Sequence, residues 1–437
     1  MFSAGNRLQW DRKGNNLKTL SETEESRMSS FQEKLSRYAE LIVNVGVQIQ
    51  KDQKLVVNAT LDAAELVRLI ARKAYEAGAY LVKVNWTDDE LTRIRYDLAP
   101  DESFLEEPKW YAAEMLELVE NNAAVVSIVS ADPDLLAGVP QERIVNYRKT
   151  YGKAMAKYRE YAQSDKFSWC VVAAPSPAWA AKVFPDAPAE RQTELLWDAI
   201  FRAVRVDRDD PGAAWEEHIR TLNEKSDYLN ARQFKKLHYK APGTDLTVEL
   251  PEGHLWVAAD SVNVRGGRFV ANLPTEEVFT APLATGVNGT VSSTKPLSYG
   301  GTIIDGFKLT FENGRITHVT AERGLDTLQG LIDMDEGSRF LGEMALVPHR
   351  SPISESNLLY YNTLFDENAS CHFAIGSAYA FNLKGGKEMS QEELRRAGLN
   401  TSITHVDFMI GSPELDIDGI AADGSVEPIF RQGNWAF

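Results

Sequence analysis

From Phe31 onward the apolar residues Leu35, Tyr38, Ala39, Leu41 and Ile42 recur at the three- and four-residue spacing that predicts a helix with one buried face. A short apolar run, Leu55–Ala59, follows it, then a second helical pattern across Ala63–Ala77 and another apolar run, Tyr80–Trp86. Gly78 stands where a helix C-terminus favours a residue free to take positive φ. Strand, helix and strand at this spacing predict a βαβ unit and hence a parallel sheet. Ala124–Val129 and Trp169–Ala174 are two further continuous apolar runs of strand length. Helical patterns occupy Trp110–Val119, Gln141–Gln163, Gln192–Val204 and Trp215–Phe234. Residues 31–235 therefore predict an α/β domain with a mainly parallel sheet.

Beyond His238 the texture changes. Leu246–Leu250, Leu255–Ala259, Ser261–Val264 and Arg268–Ala271 are short β-prone runs joined by turns such as Gly266-Gly267. Asn313-Gly314, between Phe307–Phe311 and Arg315–Ala321, is a hairpin signal because both residues tolerate positive φ; Asp423-Gly424 repeats it near the C-terminus. With helices predicted near Leu325–Asp333 and Gln391–Ala397, residues 236–437 predict a mostly antiparallel β (α+β) domain. Residues 1–30 are polar and aperiodic and predict a flexible extension.

Charge narrows the function classes. The 437 residues carry 47 Lys and Arg against 63 Asp and Glu, a formal net charge of −16. So acidic a surface repels a phosphate backbone, which argues against nucleic acid as the main partner. No apolar stretch is long enough to span a membrane, and the N-terminus lacks the pattern of a secretory signal. The two cysteines, Cys170 and Cys371, form no CxxC pair and fit a reducing compartment, so a cytoplasmic location is expected. HExxH, GxSxG, GxGxxG and Walker motifs are all missing.

Six of the seven histidines follow residue 235. His405-Val406-Asp407 lies in Ser402–Ile410, which reads as a strand, so the imidazole and the carboxylate at i and i+2 share one face, a pairing suited to Zn²⁺, Co²⁺ or Mn²⁺. A plain His–Asp hydrogen bond gives the same pattern. Asp366-Glu367-Asn368-Ala369-Ser370-Cys371-His372 packs two acids, an amide and a histidine between apolar runs, either as a site or as a capped polar turn. Glu343 is a lone acid following a glycine inside an apolar run, and Glu276-Glu277 is an acid pair ahead of another. Together these supply carboxylates and imidazoles enough for a two-metal hydrolytic centre.

Asn272–Pro282, Leu341–Pro348, Asn362–Gly376 and Thr404–Gly411, four long motifs in order, resemble the M29 family of metallo-aminopeptidases. The likeness runs from about Phe31 to the C-terminus. It implies two divalent ions (Zn²⁺, Co²⁺, Mn²⁺ or Mg²⁺) with Glu277, Glu343, His372, His405 and Asp407 as ligands and Glu367 as a further candidate. It matches Tyr379 to an active-site tyrosine. A phenol there can hydrogen-bond a tetrahedral oxyanion, and one carboxylate, Glu343 or Asp407, should bridge the ions, with Glu343 favoured as bridge and as base. The resemblance also implies a homodimer acting on short peptides with a free N-terminus. Two alternatives stay open: an α/β ligand-binding or sensor protein with a structural metal, and a dinuclear hydrolase of a non-peptide bond.

Overall fold

The computed structural model describes residues 8–10, 17–19, 22–300 and 302–437. Half of the flexible extension expected over residues 1–30 falls outside these. Within it, Leu8–Trp10 pairs antiparallel with Leu17–Thr19, and the first helix already begins at Glu22 and runs to Leu41.

Four strands form the parallel sheet: β1 (Lys54–Thr60), β2 (Leu81–Thr87), β3 (Ala124–Val129) and β4 (Trp169–Ala173), in the order β2-β1-β3-β4. Every pairing in it is parallel. Helix Ala64–Glu76 makes the expected crossover from β1 to β2, and β1 and β3 are nearly continuous buried runs because helices cover both faces of the sheet centre. The predicted helix Gln141–Gln163 is two helices, Gln141–Ala154 and Ala156–Gln163. The break at Met155 lets that side chain enter the cluster of Met115, Val119 and Phe167. Helix Asp89–Leu98 has no counterpart in the prediction, because its apolar residues Leu91, Ile94 and Leu98 face outward.

The second half is antiparallel, as the turn signals imply. An eight-stranded sheet runs from Arg315–Thr320 at one edge, through Lys308–Glu312, Val287–Ser292, Thr244–Glu249, Lys236–Ala241, Asp416–Ile420 and Val426–Arg431, to Asn434–Trp435. The Asn313-Gly314 turn has positive φ at both residues, 49° and 81°. Leu255–Ala259 is not a strand; only Val257 bridges to Phe279. The N–H and C=O of Trp256 are taken by the Asn230 side chain, so no ladder can extend through it.

A separate four-stranded antiparallel sheet carries the chemistry: β5 (Val278–Thr280), β6 (Leu341–Leu346), β7 (His372–Gly376) and β8 (His405–Met409), paired in that order. It is tied to the parallel sheet, because Val171 of β4 donates to Ala271 O and accepts from Leu273 N. One apolar core runs through both halves, from Leu35 to Phe430. Among the described residues no helix is long and apolar enough to cross a membrane.

Candidate metal centre

Sheet register brings the acids and histidines together. Glu343 of β6, Ala374 of β7 and Asp407 of β8 are laterally paired, so all three point to one face. His372 lies two residues before Ala374, and His405 pairs with Gly376 two residues after it, so both imidazoles join that face. Beyond His372, β7 offers only Ala374 and Gly376 on that face, which leaves room for the longer side chains of its neighbours. The ladder is irregular between Leu341 and Glu343. Gly342 permits this: a Cβ there would lie 2.3 Å from the carbonyl oxygens of Gly376 and Ser377.

Two groups of three result, Glu277–Glu343–His372 and Glu343–His405–Asp407, each with its ligand atoms within 4.8 Å of one another. His372 Nε2 lies 3.1 Å from Glu277 Oε2 and 3.5 Å from Glu343 Oε1. His405 Nε2 lies 3.5 Å from both Glu343 Oε2 and Asp407 Oδ1. Each ring is oriented from behind. His372 Nδ1 sits 3.0 Å from the carbonyls of Glu367 and Ser370, and His405 Nδ1 2.7 Å from that of Ser377. A carbonyl only accepts, so Nδ1 carries the hydrogen in each ring and a neutral ring turns its Nε2 lone pair toward the carboxylates. Lone pair against carboxylate is repulsive unless a proton or a metal ion stands between them. Asp407 Oδ1 is buried with no hydrogen-bond partner, a second indication that the donor set suits a cation.

The cluster Asp366–His372 divides its labour. Asp366 caps its turn, accepting from the N–H groups of Tyr360 and Asn362, as the capped-turn alternative expects. Glu367 lines the same cavity as Glu343, His405 and Asp407. Asn368 fixes the opposite loop by accepting from Glu276 N at 2.6 Å. Cys371 turns away and packs its sulfur against the backbone of Val347. The acid pair splits too: Glu277 faces His372, whereas Glu276 pairs with Arg205 at 2.8 Å. His218 accompanies it, with Nε2 2.8 Å from Thr275 O. Arg205 and His218 hold the Thr275–Glu277 turn from outside. Sequence reasoning missed both, since nothing along the chain links them to residue 276.

Tyr379 reaches the centre from the loop after β7. Its ring lies 4.8 Å from that of His405 and stacks on Phe381 at 5.0 Å. Burial and the surrounding carboxylates, Glu343 first among them, push its phenol well above the ordinary range, so it remains a hydrogen-bond donor. A cavity of about 60 Å³ adjoins these groups, walled by Trp169, Phe279 and Phe381.

The acids and imidazoles of this face shift one another's protonation. Burial pushes the Glu343 carboxyl up to about 7 despite its hydrogen bond to His372. Burial, and then Asp407 and Glu277, push Glu367 well above the usual carboxylate range. Burial favours neutral imidazoles, yet Glu277 and Glu343 outweigh it at His372, held well above the ordinary value. Asp407 and Glu343 outweigh it at His405, held at about 9. Burial opposes ionisation of Asp407, but the charge of His405 holds that carboxyl below its ordinary value. These shifts favour the protonated forms of both histidines and of Glu367, whereas metal binding needs imidazole lone pairs and ionised carboxylates. Metal binding is expected to release protons, and affinity to weaken as pH falls. Calorimetry in buffers of different ionisation enthalpy measures this directly; a binding heat independent of buffer would contradict it.

A buried face bearing four carboxylates, two oriented imidazoles and a phenol is the equipment of a metal-dependent hydrolase. The chain belongs to the M29 family of thermophilic metalloproteases, whose profile matches residues 31–435, and is therefore a hydrolase acting on peptide bonds. It is 59% identical over 410 residues to aminopeptidase AmpS of Bacillus subtilis, covering 94% of this chain and all of that protein. It is 44% identical over 409 residues to aminopeptidase T of Thermus thermophilus, covering 93% of this chain and all of that protein. The solved structure of wild-type AmpT from Thermus thermophilus superposes with a TM-score of 0.87 at 43% identity, over 93% of this chain and all of that one.

Proposed function

We propose that this chain, a metal-dependent aminopeptidase, releases N-terminal residues from short peptides with two divalent ions. Glu277, Glu343 and His372 would hold one; Glu343, His405 and Asp407, with Glu367 beside them, the other. The observation that carries this reading is that one carboxylate, Glu343, belongs to both groups and turns one oxygen to each histidine. A closed structural site would need only four ligands and no adjoining cavity. Zn²⁺, Co²⁺, Mn²⁺ and Mg²⁺ are the candidate ions, and they supply Lewis acidity toward a carbonyl group and toward water. The protein's own groups do the rest. Glu343, central among the acids, accepts the proton that the attacking water gives up. The Tyr379 phenol donates to the oxygen that becomes negative as the carbonyl turns tetrahedral. The α-ammonium group of the substrate would lie near one of the ions or a spare acid of the centre.

Purified enzyme is expected to release leucine from a leucyl tripeptide, to stop when a chelator is added, and to leave the N-acetylated peptide intact. Chromatography of the products checks all three, and cleavage of the acetylated peptide at the same rate would refute the exopeptidase assignment.

The second copy of the proposed homodimer docks on the α/β half, where Leu91, Ile94 and Leu98 line one exposed face of helix Asp89–Leu98 at 67%, 44% and 79% exposure. Changing all three to serine or lysine is expected to convert a dimer, measured by light scattering, into a monomer. An unchanged mass would remove that face from the interface.

A further inference from the structure

We propose that Arg148 and Arg159 form an anion subsite that takes a carboxylate of the peptide substrate beyond the scissile bond. The inference deepens the aminopeptidase reading and rests on it.

A cleft of about 330 Å³ separates the helix pair Gln141–Ala154 and Ala156–Gln163 from the loop that leads into β8. Arg148 and Arg159 line it together with Tyr147, Tyr151, Tyr299 and His405. His405 also lines the cavity of the metal centre, so one residue borders both spaces. The guanidinium of Arg148 lies over the ring of Tyr299, 4.5 Å from its centroid, which fixes its plane without neutralising its charge. Arg159 donates from Nη1 to Ile403 O at 3.4 Å.

Among the described residues, neither arginine has a carboxylate within salt-bridge distance, in a chain where acids outnumber bases by 63 to 47. Other half-buried arginines of this fold are matched: Arg143 with Asp101, Arg205 with Glu276, Arg268 with Asp260. Burial lowers the pKa of Arg159, the sign of a guanidinium partly stripped of water with no counter-charge. Two such groups beside one cleft have spare fork-shaped donors for a carboxylate.

Ile403, which Arg159 touches, precedes His405 by two residues, so the arginine is anchored to the segment that carries a candidate ligand. A substrate would then lie with its ammonium end toward the acids of the centre and its carboxylate toward the arginines. Two sources can supply that carboxylate, the C-terminus of the peptide or an acidic side chain.

Three peptides separate these cases: Leu-Gly-Gly as the free acid, its C-terminal amide, and Leu-Gly-Asp amide. For the unmodified metal-loaded enzyme, kcat/KM is expected to be about 10- to 100-fold higher for the free acid than for its amide, the scale of a charge-assisted hydrogen bond, with the difference in KM. Arg159→Gln and Arg148→Gln should each shrink that ratio, and Arg159→Lys should restore part of it. Recovery of the advantage by Leu-Gly-Asp amide would show that the subsite accepts a side-chain acid; no recovery would assign it to the C-terminus. Equal kcat/KM for all three peptides in the unmodified enzyme would overturn the subsite while leaving the aminopeptidase reading intact, and needs no variant to fold. An unchanged ratio in both glutamine variants would also overturn it. Failure to cleave any of the three peptides would instead strike the aminopeptidase reading itself.

Discussion

Glu343→Gln is expected to lower kcat by about 10³-fold or more and to strip the centre of metal, because a single carboxylate serves both three-residue groups. The substitution keeps the size of the side chain and one acceptor oxygen, so the fully buried strand β6 need not repack. What it removes is the negative charge that each oxygen turns toward a histidine, at 3.5 Å on either side. Loss of one of two independent ligands would leave the other ion in place; loss of a shared one weakens both. Metal content by mass spectrometry after dialysis, together with kcat under saturating metal, reads the result. A variant that retains two ions per chain and full kcat would exclude Glu343 from the bridging position.

Tyr379→Phe is expected to behave in the opposite way toward metal. The phenyl ring keeps its stacking on Phe381 and its contact with His405, so both groups of ligands remain intact. Only the hydroxyl donor is lost. If it acts on the developing oxyanion, kcat and kcat/KM should fall together by about 10²–10³, the scale for one such donor. His405→Ala supplies the contrast: it takes the imidazole from the second candidate group, so excess metal should partly restore its rate. Rescue of Tyr379→Phe by metal, or an undiminished kcat, would leave the tyrosine as packing beside the centre.

Much of the architecture is legible along the chain because buried parallel strands must be apolar on both faces. Leu55–Ala59, Ala124–Val129 and Trp169–Ala174 declare themselves for that reason, and β1, β3 and β4 stand there. Helix Asp89–Leu98 hides because its apolar side chains point to solvent, where periodicity no longer signals a core. The broken helix at Met155 hides for a related reason: both halves continue one helical pattern, and only the pocket that receives Met155 ends the first.

The site divides along the same line. Spacing alone put His405 and Asp407 on one face, since side chains alternate along any strand, and β8 presents them so. The four motifs named the remaining acids and His372 by resemblance, but spacing could not choose within them. Glu276 and Glu277 are chemically identical neighbours. The choice between them was made by Arg205, 71 residues earlier in the chain, which draws Glu276 away from the centre. Asp366 and Glu367 differ in the same way, one capping a turn and the other facing the cavity. The sequence by itself therefore determined the two layers, the turns and the local pairing of His405 with Asp407, because these follow from periodicity within a few residues. Only the tertiary structure decided that Glu343, Ala374 and Asp407 stand in one row, that Glu343 faces both histidines, and that Arg148 and Arg159 line one cleft. Register between distant strands is set by long-range packing, and no local pattern encodes it.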